Sequence, residues 1–251
     1  MDLGLSGKKA VITGATKGIG RSVAETLLAE GVSVAICARD AAGVEAAVEE
    51  MSALGNVFGA SVDAADGDAV EAWVASAAEQ LGGIDIYVHN TSGKPARKIE
   101  NWINNFNIDL MAMVRGVGAA SEALSEGGGA VISIGTTATA EHFASGSNSY
   151  SAFKSAVTNW TLGQAQVLGA KGVRCNVVSP GPIFVEGGDW NMIKDNMTEF
   201  YEATEKVHPQ GRLGTVQDVA NVVAFLASDA ARHVNGVNVT VDGGFLKRID
   251  F

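Results

Sequence analysis

Tyr150 and Lys154 stand four positions apart in the stretch SNSYSAFKSAV, residues 147–157, among small side chains. If this stretch is helical, the phenol and the ammonium lie on one face, a turn apart. A free tyrosine has a pKa of about 10, and a neighbouring cation lowers that pKa. Tyr150 could therefore act as an acid/base near neutral pH, tuned by Lys154. The alternative is a surface helix with an unrelated tyrosine and lysine.

A glycine-rich turn, VITGATKGIG at residues 11–20, leads from an apolar segment into a helical pattern. Glycines at this point let the backbone approach a pyrophosphate, and the N-terminus of the helix offers free N–H groups. The spacing of Gly14, Gly18 and Gly20 differs from GxGxxG. The prediction of a dinucleotide site therefore rests on the strand-turn-helix context.

The end of the second predicted strand, ICARD at residues 36–40, bears on the choice of nucleotide. An acidic residue here would bind the ribose 2′-hydroxyl of NAD, whereas arginine accommodates a 2′-phosphate. Arg39 and the nearby Lys17 favour NADP(H) over NAD(H). Asp40 could neutralise Arg39 or cap the next helix. The alternative for both cations is simple solvation.

Short β-rich runs alternate with longer helical patterns along the 251 residues. The predicted strands cover 8–13, 32–37, 57–63, 84–90, 129–135, 172–181 and 236–244. The predicted helices cover 20–31, 41–54, 66–81, 100–125, 149–170 and 215–228. This alternation predicts an α/β fold, a three-layer, doubly wound parallel sheet of about seven strands in a single domain spanning 1–251.

One segment, residues 184–212, interrupts this alternation and is rich in aromatic residues and methionine. It predicts a helical substrate lid that closes over an apolar site. Ordinary core or subunit packing is the alternative. We refer to residues 184–212 as the lid segment.

Charge and composition exclude several partners. The net charge of −10 argues against nucleic acid, because phosphate binding needs a basic field. No apolar run reaches the roughly 18 residues of a membrane span. The two cysteines, Cys37 and Cys175, form neither a disulfide framework nor a metal motif. The N-terminal stretch lacks the apolar segment of a signal peptide, so a cytoplasmic protein with a small-molecule substrate is expected.

An ordered set of motifs resembles the short-chain dehydrogenase/reductase family over essentially the whole chain. The set comprises TGATKGIG (13–20), Asp63, Asn90, Tyr150 with Lys154, NVVSPGPI (176–183) and GVNVTVDGG (236–244). The chain looks similar to the branch that contains 3-oxoacyl-carrier-protein reductases and carbonyl reductases. The resemblance implies a Rossmann-like sheet, a nicotinamide cofactor and a homotetramer or homodimer.

The resemblance also implies roles for individual residues. The cofactor-binding positions that it implies are Gly14, Thr16, Lys17, Gly18, Ile19, Gly20, Arg39, Asp63, Asn90, Tyr150, Lys154, Pro180, Gly181 and Ile183. Among these, Asp63 would meet adenine, Asn90 the adenosine ribose and Ile183 the nicotinamide carboxamide. Lys154 would also hold the nicotinamide ribose. Asp63 and its neighbours could equally cap a helix.

Two departures from the family pattern affect the catalytic residues. The serine that usually precedes the tyrosine is replaced by Thr136 or Thr137, of which strand register favours Thr136. A threonine hydroxyl can donate and accept as serine does. The asparagine that usually anchors a relay water aligns with Asp109 in FNIDLM. Asp109 could accept from a water or pair with Lys154, and its charge would oppose a lowered phenol pKa.

The resemblance implies an oxidoreductase that moves a hydride between NADP(H) and a carbonyl or secondary alcohol, with Tyr150 as acid/base. The alternative is a dinucleotide-binding sensor or scaffold that has lost the reaction, as the threonine and aspartate replacements suggest. Enoyl reduction is disfavoured because the family members that reduce enoyl groups space their tyrosine and lysine more widely. Glu141, His142 and Phe143, on the loop before the tyrosine, are candidates for substrate selectivity.

Overall fold

The computed structural model describes residues 2–141, 146 and 148–247. Its strands are β1 (Lys9–Thr13), β2 (Ser33–Ala38), β3 (Val57–Ser61), β4 (Ile86–His89), β5 (Ala130–Ile134), β6 (Arg174–Pro180), β7 (Ile183–Phe184), β8 (Gly214–Thr215) and β9 (Asn238–Val241). Seven of them form one parallel sheet in the order β3-β2-β1-β4-β5-β6-β9. The predicted parallel sheet is confirmed.

Helices cover both faces of this sheet. They are α1 (Gly18–Ala29), α2 (Ala41–Met51), α3 (Gly67–Leu81), α4 (Ile99–Asn105), α5 (Ala112–Gly127), α6 (Ser149–Leu168), α7 (Asp189–Asn196), α8 (Thr198–Val207) and α9 (Val216–Ala227). Apolar residues of α1, α2 and α9 form one core layer with the sheet. Those of α3, α5 and α6 form the other. The predicted three-layer, doubly wound architecture is therefore confirmed.

Side chains alternate between the two core layers along each central strand. In β1, Ala10 and Ile12 enter the layer of α1 and α9, while Val11 enters the layer of α3 and α5. Parallel strands covered by helices on both faces must be apolar at every position. This is why the strands appear in the sequence as continuous apolar runs rather than as alternating patterns.

The strand order places a ligand cleft between β1 and β4. The chain runs outward from β1 to β3 and then returns to add β4 on the other side of β1. Such a reversal opens a crevice beyond the carboxyl ends of the two strands. Gly14 follows β1 and Asn90 follows β4, so both predicted cofactor positions border this crevice.

The predicted helix over 100–125 is not a continuous α-helix. A π-helical segment, Phe106–Met111, separates α4 from α5, and the amide of Ala112 donates to the carbonyl of Asn107, five residues earlier. Such π-turns widen a helix by one residue and leave a carbonyl without its usual partner. The carbonyl of Asp109 accepts from His89 Nε2 at 2.9 Å. This contact with β4 accompanies the π-helical segment and comes from a residue 20 positions away, which a local helical pattern does not reveal.

The lid segment folds as α7 and α8, and it is flanked by the short parallel pair β7–β8. The helical character predicted for it is confirmed. The two-residue strands were not predicted, because so short a pairing leaves no periodic signal. Among the described residues, no helix combines the length and apolarity needed to span a bilayer.

Candidate active site

The glycine turn after β1 presents backbone rather than side chains to the crevice. Gly14 and Gly18 have φ values of 67° and 61°, a region that favours glycine. A Cβ on Gly20 would collide with the Asn90 amide and the Gly14 carbonyl. Asn90 Nδ2 donates to that carbonyl at 2.8 Å and to Thr13 O at 3.2 Å. Asn90 thus fixes the turn, and its predicted ribose contact stays a prediction.

The start of α1 is suited to an anionic group. Lys17 occupies the N-cap position without a side-chain cap, and the first turn carries no acidic residue. The first N–H groups of a helix have no partner within the helix, and the helix dipole favours a negative charge there. Thr16 and Ile19 are partly buried beside these groups. The glycine turn and α1 therefore fit a pyrophosphate.

Beyond β2, two cations are available to a further phosphate. Arg39 and Lys17 are exposed. Neither forms a salt bridge within the described part of the chain. Asp40 precedes α2 but forms no side-chain cap, and it does not pair with Arg39. Both expectations for Asp40 are therefore wrong, and the charge of Arg39 is left uncompensated.

The acidic stretch after β3 has two expected roles, helix capping and contact with adenine, and these concern Asp63 and Asp66. Asp66 caps α3, since its Oδ1 accepts from the amides of Asp68 at 3.0 Å and Ala69 at 3.1 Å. Asp63 is exposed, and its Oδ1 accepts from the Ala65 amide at 3.0 Å. Helix capping therefore belongs to Asp66. The adenine contact of Asp63 stays a prediction.

Pro180, Gly181 and Ile183 follow β6 at the same edge of the sheet. The amide of Gly181 donates to Val241 O at 3.0 Å, and a Cβ on Gly181 would lie 2.6 Å from the Asp242 Cβ. Ile183 is buried in β7. These contacts fix the backbone beside the crevice, and the predicted carboxamide contact of Ile183 remains untested.

Tyr150 lies in the first turn of α6, and Thr136 follows β5 as the N-cap of a short 3-10 turn. Thr136 Oγ1 accepts from the Ala138 amide at 3.2 Å, so its own hydrogen remains available to another acceptor. Burial raises the pKa of Tyr150 above its ordinary value, and the hydroxyl of Thr136 opposes this rise. The structure therefore brings Tyr150 together with Thr136, the residue that strand register favours over Thr137.

Lys154 is buried one turn further along α6. Its Nζ donates to Ile134 O at 2.9 Å and to Thr91 O at 3.4 Å, and it lies 3.7 Å from Asp109 Oδ1. Burial lowers the pKa of Lys154, and the Asp109 carboxylate opposes this change. The expected pairing of Lys154 with Asp109 is confirmed.

The Asp109 carboxylate connects this buried ammonium to the surface. Asp109 Oδ1 accepts from Ser92 Oγ at 2.7 Å, and Oδ2 accepts from the Gly93 amide at 3.1 Å. Burial raises the pKa of Asp109, while Lys154 and these hydrogen bonds oppose the rise. Ser92 is exposed. A chain of polar groups thus runs from Lys154 through Asp109 to solvent.

Without a bound cofactor the pKa of Tyr150 is raised, because burial disfavours the phenolate and the charges of Asp109 and Asp189 disfavour it further. The lowered pKa that the sequence predicts for the site with its cofactor bound stays a prediction. The positive charge of Lys154 is matched by Asp109 in the same buried unit. The protein alone therefore keeps Tyr150 as a neutral phenol, which is a proton donor.

His89 lies beside Asp109, and the sequence predicts it to be a packing residue at the end of its strand. It ends β4, is fully buried, and uses Nε2 to donate to Asp109 O. Its Nδ1 has no hydrogen-bond partner in the described structure. Burial, with the nearby charge of Lys154, lowers the pKa of His89 to about 3. His89 therefore holds the π-turn of Asp109 as a neutral imidazole.

Replacing His89 by asparagine should weaken the acid sensitivity of the protein. Between pH 6.5 and about 3 the unfolded chain binds a proton at His89 that the folded chain does not, so stability falls as pH falls. Asparagine keeps an N–H donor for Asp109 O and does not titrate. Between pH 6.5 and 4.5, the unfolding free energy of the wild type should fall roughly 2–3 kcal/mol more than that of H89N.

Urea unfolding at the two pH values measures this difference. His233→Asn is the matched control, because His233 is exposed. The same pH dependence in the wild type and H89N would show that His89 is not held neutral.

Long-range hydrogen bonds fix the start of α6. Ser149 Oγ accepts from the amide of Ala96 at 3.0 Å and from Asn105 Nδ2 at 2.7 Å. Asn148 caps the helix, and its Oδ1 accepts from the Ser151 amide at 3.1 Å. Ser149 precedes Tyr150, so these bonds position the phenol. The two partners of Ser149 lie 53 and 44 residues away, so the sequence gives no local signal for these bonds.

The lid segment packs beside the glycine turn. A Cβ on Gly18 would lie 3.4 Å from Val185 Cγ1. Within the lid segment, Trp190 stacks on Phe200 with ring centroids 6.1 Å apart, and Lys194 Nζ lies 5.4 Å from the centroid of Phe184. Glu141 is exposed. His142 and Phe143 lie outside the described residues, so their proposed part in selectivity is not tested.

Residues 14–246 match the family model described as enoyl-(acyl carrier protein) reductase, a model of the short-chain dehydrogenase/reductase family. The chain belongs to this family. An isoepoxydon dehydrogenase of Aspergillus clavatus is a similar family member, 36% identical over 248 residues that cover 96% of this chain and 95% of that protein. A 3-oxoacyl-[acyl-carrier-protein] reductase of Staphylococcus aureus is 32% identical over 245 residues, covering 94% and 97%.

Solved structures of short-chain dehydrogenases/reductases share the fold. An L-sorbose reductase of Gluconobacter frateurii, in complex with NADPH and L-sorbose, superposes with a TM-score of 0.90 at 29% identity, covering 99% of this chain and 100% of that one. A short-chain dehydrogenase of Burkholderia cenocepacia, in complex with NADP, gives a TM-score of 0.88 at 31% identity, covering 96% and 98%. Both similar structures were determined with a phosphorylated nicotinamide dinucleotide.

Proposed function

We propose that this short-chain dehydrogenase/reductase is an NADP(H)-dependent carbonyl reductase, EC 1.1.1.-, with Tyr150 as its acid. The placement of Tyr150 and the buried Lys154 one turn apart on α6 carries the proposal. The hydroxyl of Thr136 acts on the phenol, since it opposes the rise of the Tyr150 pKa. One carbonyl oxygen can accept from both hydroxyls.

The chain's own residues handle the proton and the oxygen of the substrate. When bound, the reduced nicotinamide supplies the hydride that adds to the carbonyl carbon. Thr136 holds the carbonyl oxygen by a hydrogen bond, and Tyr150 donates its proton to that oxygen as negative charge develops on it. The phenol of Tyr150 is protonated near neutral pH, since burial raises its pKa further above neutrality, and it therefore holds the proton that the reduction needs.

After proton donation the Tyr150 phenolate needs a new proton. Lys154 and Asp109 form the nearest buried charged pair, and Asp109 is joined to the exposed hydroxyl of Ser92. We assign proton resupply to this route, from solvent through Ser92 and Asp109 to Lys154, whose ammonium would give a proton to the phenolate and regain one from Asp109. In this proton relay the carboxylate of Asp109 itself carries the proton.

Arg39 and Lys17 provide the preference for a 2′-phosphate. Both are exposed and unpaired among the described residues, and the NADPH and NADP complexes of the two similar structures support this cofactor. Arg39→Ser should raise the KM for NADPH by about 10- to 100-fold and leave the KM for NADH nearly unchanged, because a charged hydrogen-bonded pair is lost.

Arg232→Ser is the matched control for this cofactor prediction. Arg232 is also exposed, but it lies at the opposite edge of the sheet, beside Asp85 and Gly129. Steady-state NADPH and NADH oxidation measures both variants. An equal rise of both KM values in R39S would contradict a phosphate contact.

Initial rates of NADPH oxidation with ketones, aldehydes, 3-oxoacyl thioesters and 2-enoyl thioesters test the proposed reaction. We expect turnover with ketones or aldehydes. Tight NADPH binding without hydride transfer to any compound would instead favour the sensor or scaffold. Turnover of the enoyl thioester alone would favour enoyl reduction, the activity in the name of the matched family model. The Tyr150–Lys154 spacing argues against that outcome.

We also infer a cytoplasmic homotetramer or homodimer. The exposed side chains of Ile99, Ile103 and Phe106 repeat every three to four residues along α4 and the π-turn, which supports a subunit contact on that face. Light scattering of the purified protein measures the assembly. A monomer at micromolar concentration would contradict it.

A further inference from the structure

A cavity lies at the edge of the sheet opposite the cofactor crevice, at the amino ends of the strands. Its volume is about 610 Å³, within the range of small-molecule sites. Its walls include Lys8, Asp85 and Gly129, which immediately precede β1, β4 and β5, and Arg174, which begins β6. We call it the amino-end cavity. It is separate from the residues proposed for catalysis and cofactor binding, which follow the carboxyl ends of these strands.

Cationic side chains outnumber carboxylates in this cavity, although the chain as a whole carries a net charge of −10. Lys8, Arg174 and Arg232 line it, against Asp85 and Asp229. Asp229 Oδ1 is paired with Lys8 Nζ at 3.2 Å. Among the residues that the structure describes, neither Arg174 nor Arg232 forms a salt bridge. Both arginines are therefore available to an anion.

Arg174 is held in place without being neutralised. Its Nη1 donates to Leu226 O at 2.6 Å and its Nη2 donates to Ser228 O at 3.1 Å, at the end of α9. Burial lowers the pKa of Arg174, and the charge of Asp229 opposes this change. The cost of half-burying this guanidinium is not offset by a carboxylate of its own. An anion that enters the cavity would supply that missing partner.

Glycines form one wall of the amino-end cavity and leave its backbone open to a ligand. Those that line it are Gly127, Gly128, Gly129, Gly169 and Gly172. A Cβ on Gly128 would lie 3.0 Å from Gly172 O, so glycine allows these two loops to approach each other. The amide of Gly128 has no hydrogen-bond acceptor within the described part of the chain. Free amides and arginines are the groups that phosphate oxygens prefer.

We propose that the amino-end cavity binds a sugar phosphate. Arg174, Arg232 and the Gly128 amide bind the phosphate group, and the Asp85 carboxylate accepts from hydroxyl groups of the sugar. Asp85 Oδ2 accepts from the Lys9 amide at 2.8 Å, which fixes the carboxylate and leaves Oδ1 for a hydroxyl donor. The cavity is much larger than inorganic phosphate, which is why the ligand has an organic part. This site is independent of the proposed carbonyl reduction.

Isothermal titration calorimetry of the NADPH-saturated protein with ribose 5-phosphate tests this site. Bound NADPH occupies the crevice, so the probe cannot bind at the glycine turn. We expect one saturable site per chain. Methyl phosphate, which lacks the hydroxyl groups, should bind about tenfold more weakly, the size of effect of one charge-assisted hydrogen bond. Ribose, which lacks the phosphate, should bind more weakly still.

Two variants separate the two halves of the ligand. Arg232→Ser should weaken binding of ribose 5-phosphate and of methyl phosphate alike, by about 10- to 100-fold, because a charged phosphate contact is lost. Asp85→Asn keeps one oxygen for the Lys9 amide and loses the other, so the preference for ribose 5-phosphate over methyl phosphate should fall about tenfold. A purely structural role of Asp85 would not change this ratio.

Arg39→Ser is the matched control, because Arg39 is an exposed cation at the cofactor crevice. At saturating NADPH it should leave the Kd for ribose 5-phosphate unchanged. An equal loss in R39S and R232S, or displacement of ribose 5-phosphate by NADPH, would place the phosphate in the crevice and overturn the proposal. Equal affinities of the wild type for ribose 5-phosphate and methyl phosphate would overturn it too, as would the absence of saturable binding. A wild type that reduces no carbonyl compound would overturn the proposed function alone.

Discussion

Tyr150→Phe should lower kcat for ketone reduction by about 10²- to 10⁴-fold, the usual contribution of a positioned general acid. The variant removes the one hydroxyl proton that the buried site offers beside Thr136. The ring still fills its place at the start of α6, so NADPH should bind with an unchanged Kd. Stopped-flow NADPH oxidation and fluorescence titration measure the two effects separately.

Tyr87→Phe is the matched control for this variant. The Tyr87 hydroxyl is buried in the core layer of α3, α5 and α6 and has no hydrogen-bond partner among the described residues. Its removal should leave kcat unchanged. Turnover of Y150F within threefold of the wild type would exclude Tyr150 as the acid, and an equal loss in both variants would indicate general damage to the fold.

Asp109→Asn should lower the free energy of unfolding by about 3–5 kcal/mol at pH 7, because it leaves the Lys154 ammonium buried without its carboxylate. The loss should shrink as pH rises. Burial already lowers the pKa of Lys154, and without Asp109 it falls further. The folded variant then loses this proton at a pH where the unfolded chain still binds it, so its stability increases with pH.

Urea unfolding of D109N at pH 7 and pH 9.5 measures both the loss and its pH dependence. Asp66→Asn is the matched control, because Asp66 is an exposed N-cap and asparagine caps a helix equally well. It should change stability by less than about 0.5 kcal/mol. A loss in D109N below about 1 kcal/mol would mean that Lys154 does not depend on Asp109 for its charge.

Most of the fold follows from local sequence signals. The strands of the main sheet are apolar runs because both of their faces are buried, and the helices show a separate apolar stripe. The sequence also reveals the glycine turn at Gly14–Gly20, because neighbouring groups approach its backbone too closely for a side chain. The prediction of one continuous helix over 100–125 failed. The π-turn that interrupts it contacts His89, which belongs to another element.

The candidate site is only partly visible in the sequence. Tyr150 and Lys154 share a helix, so their spacing reveals them. The interactions that set their chemistry are long-range: Thr136 acts on Tyr150 from the turn after β5, and Asp109 reaches Lys154 from the π-turn. The burial of Tyr150, which raises its pKa in the protein alone, cannot be derived from the spacing of residues.

Hydride delivery to cyclohex-2-enone from NADPH deuterated at both C4 positions tests the central claim most directly. This substrate offers a carbonyl carbon and an enoyl carbon in one molecule, and mass spectrometry with NMR locates the label. If the protein reduces carbonyl groups with Tyr150 as the general acid, the product should be cyclohex-2-enol with deuterium on the carbinol carbon. Cyclohexanone labelled at C3 would contradict carbonyl reduction, as would the absence of any labelled product.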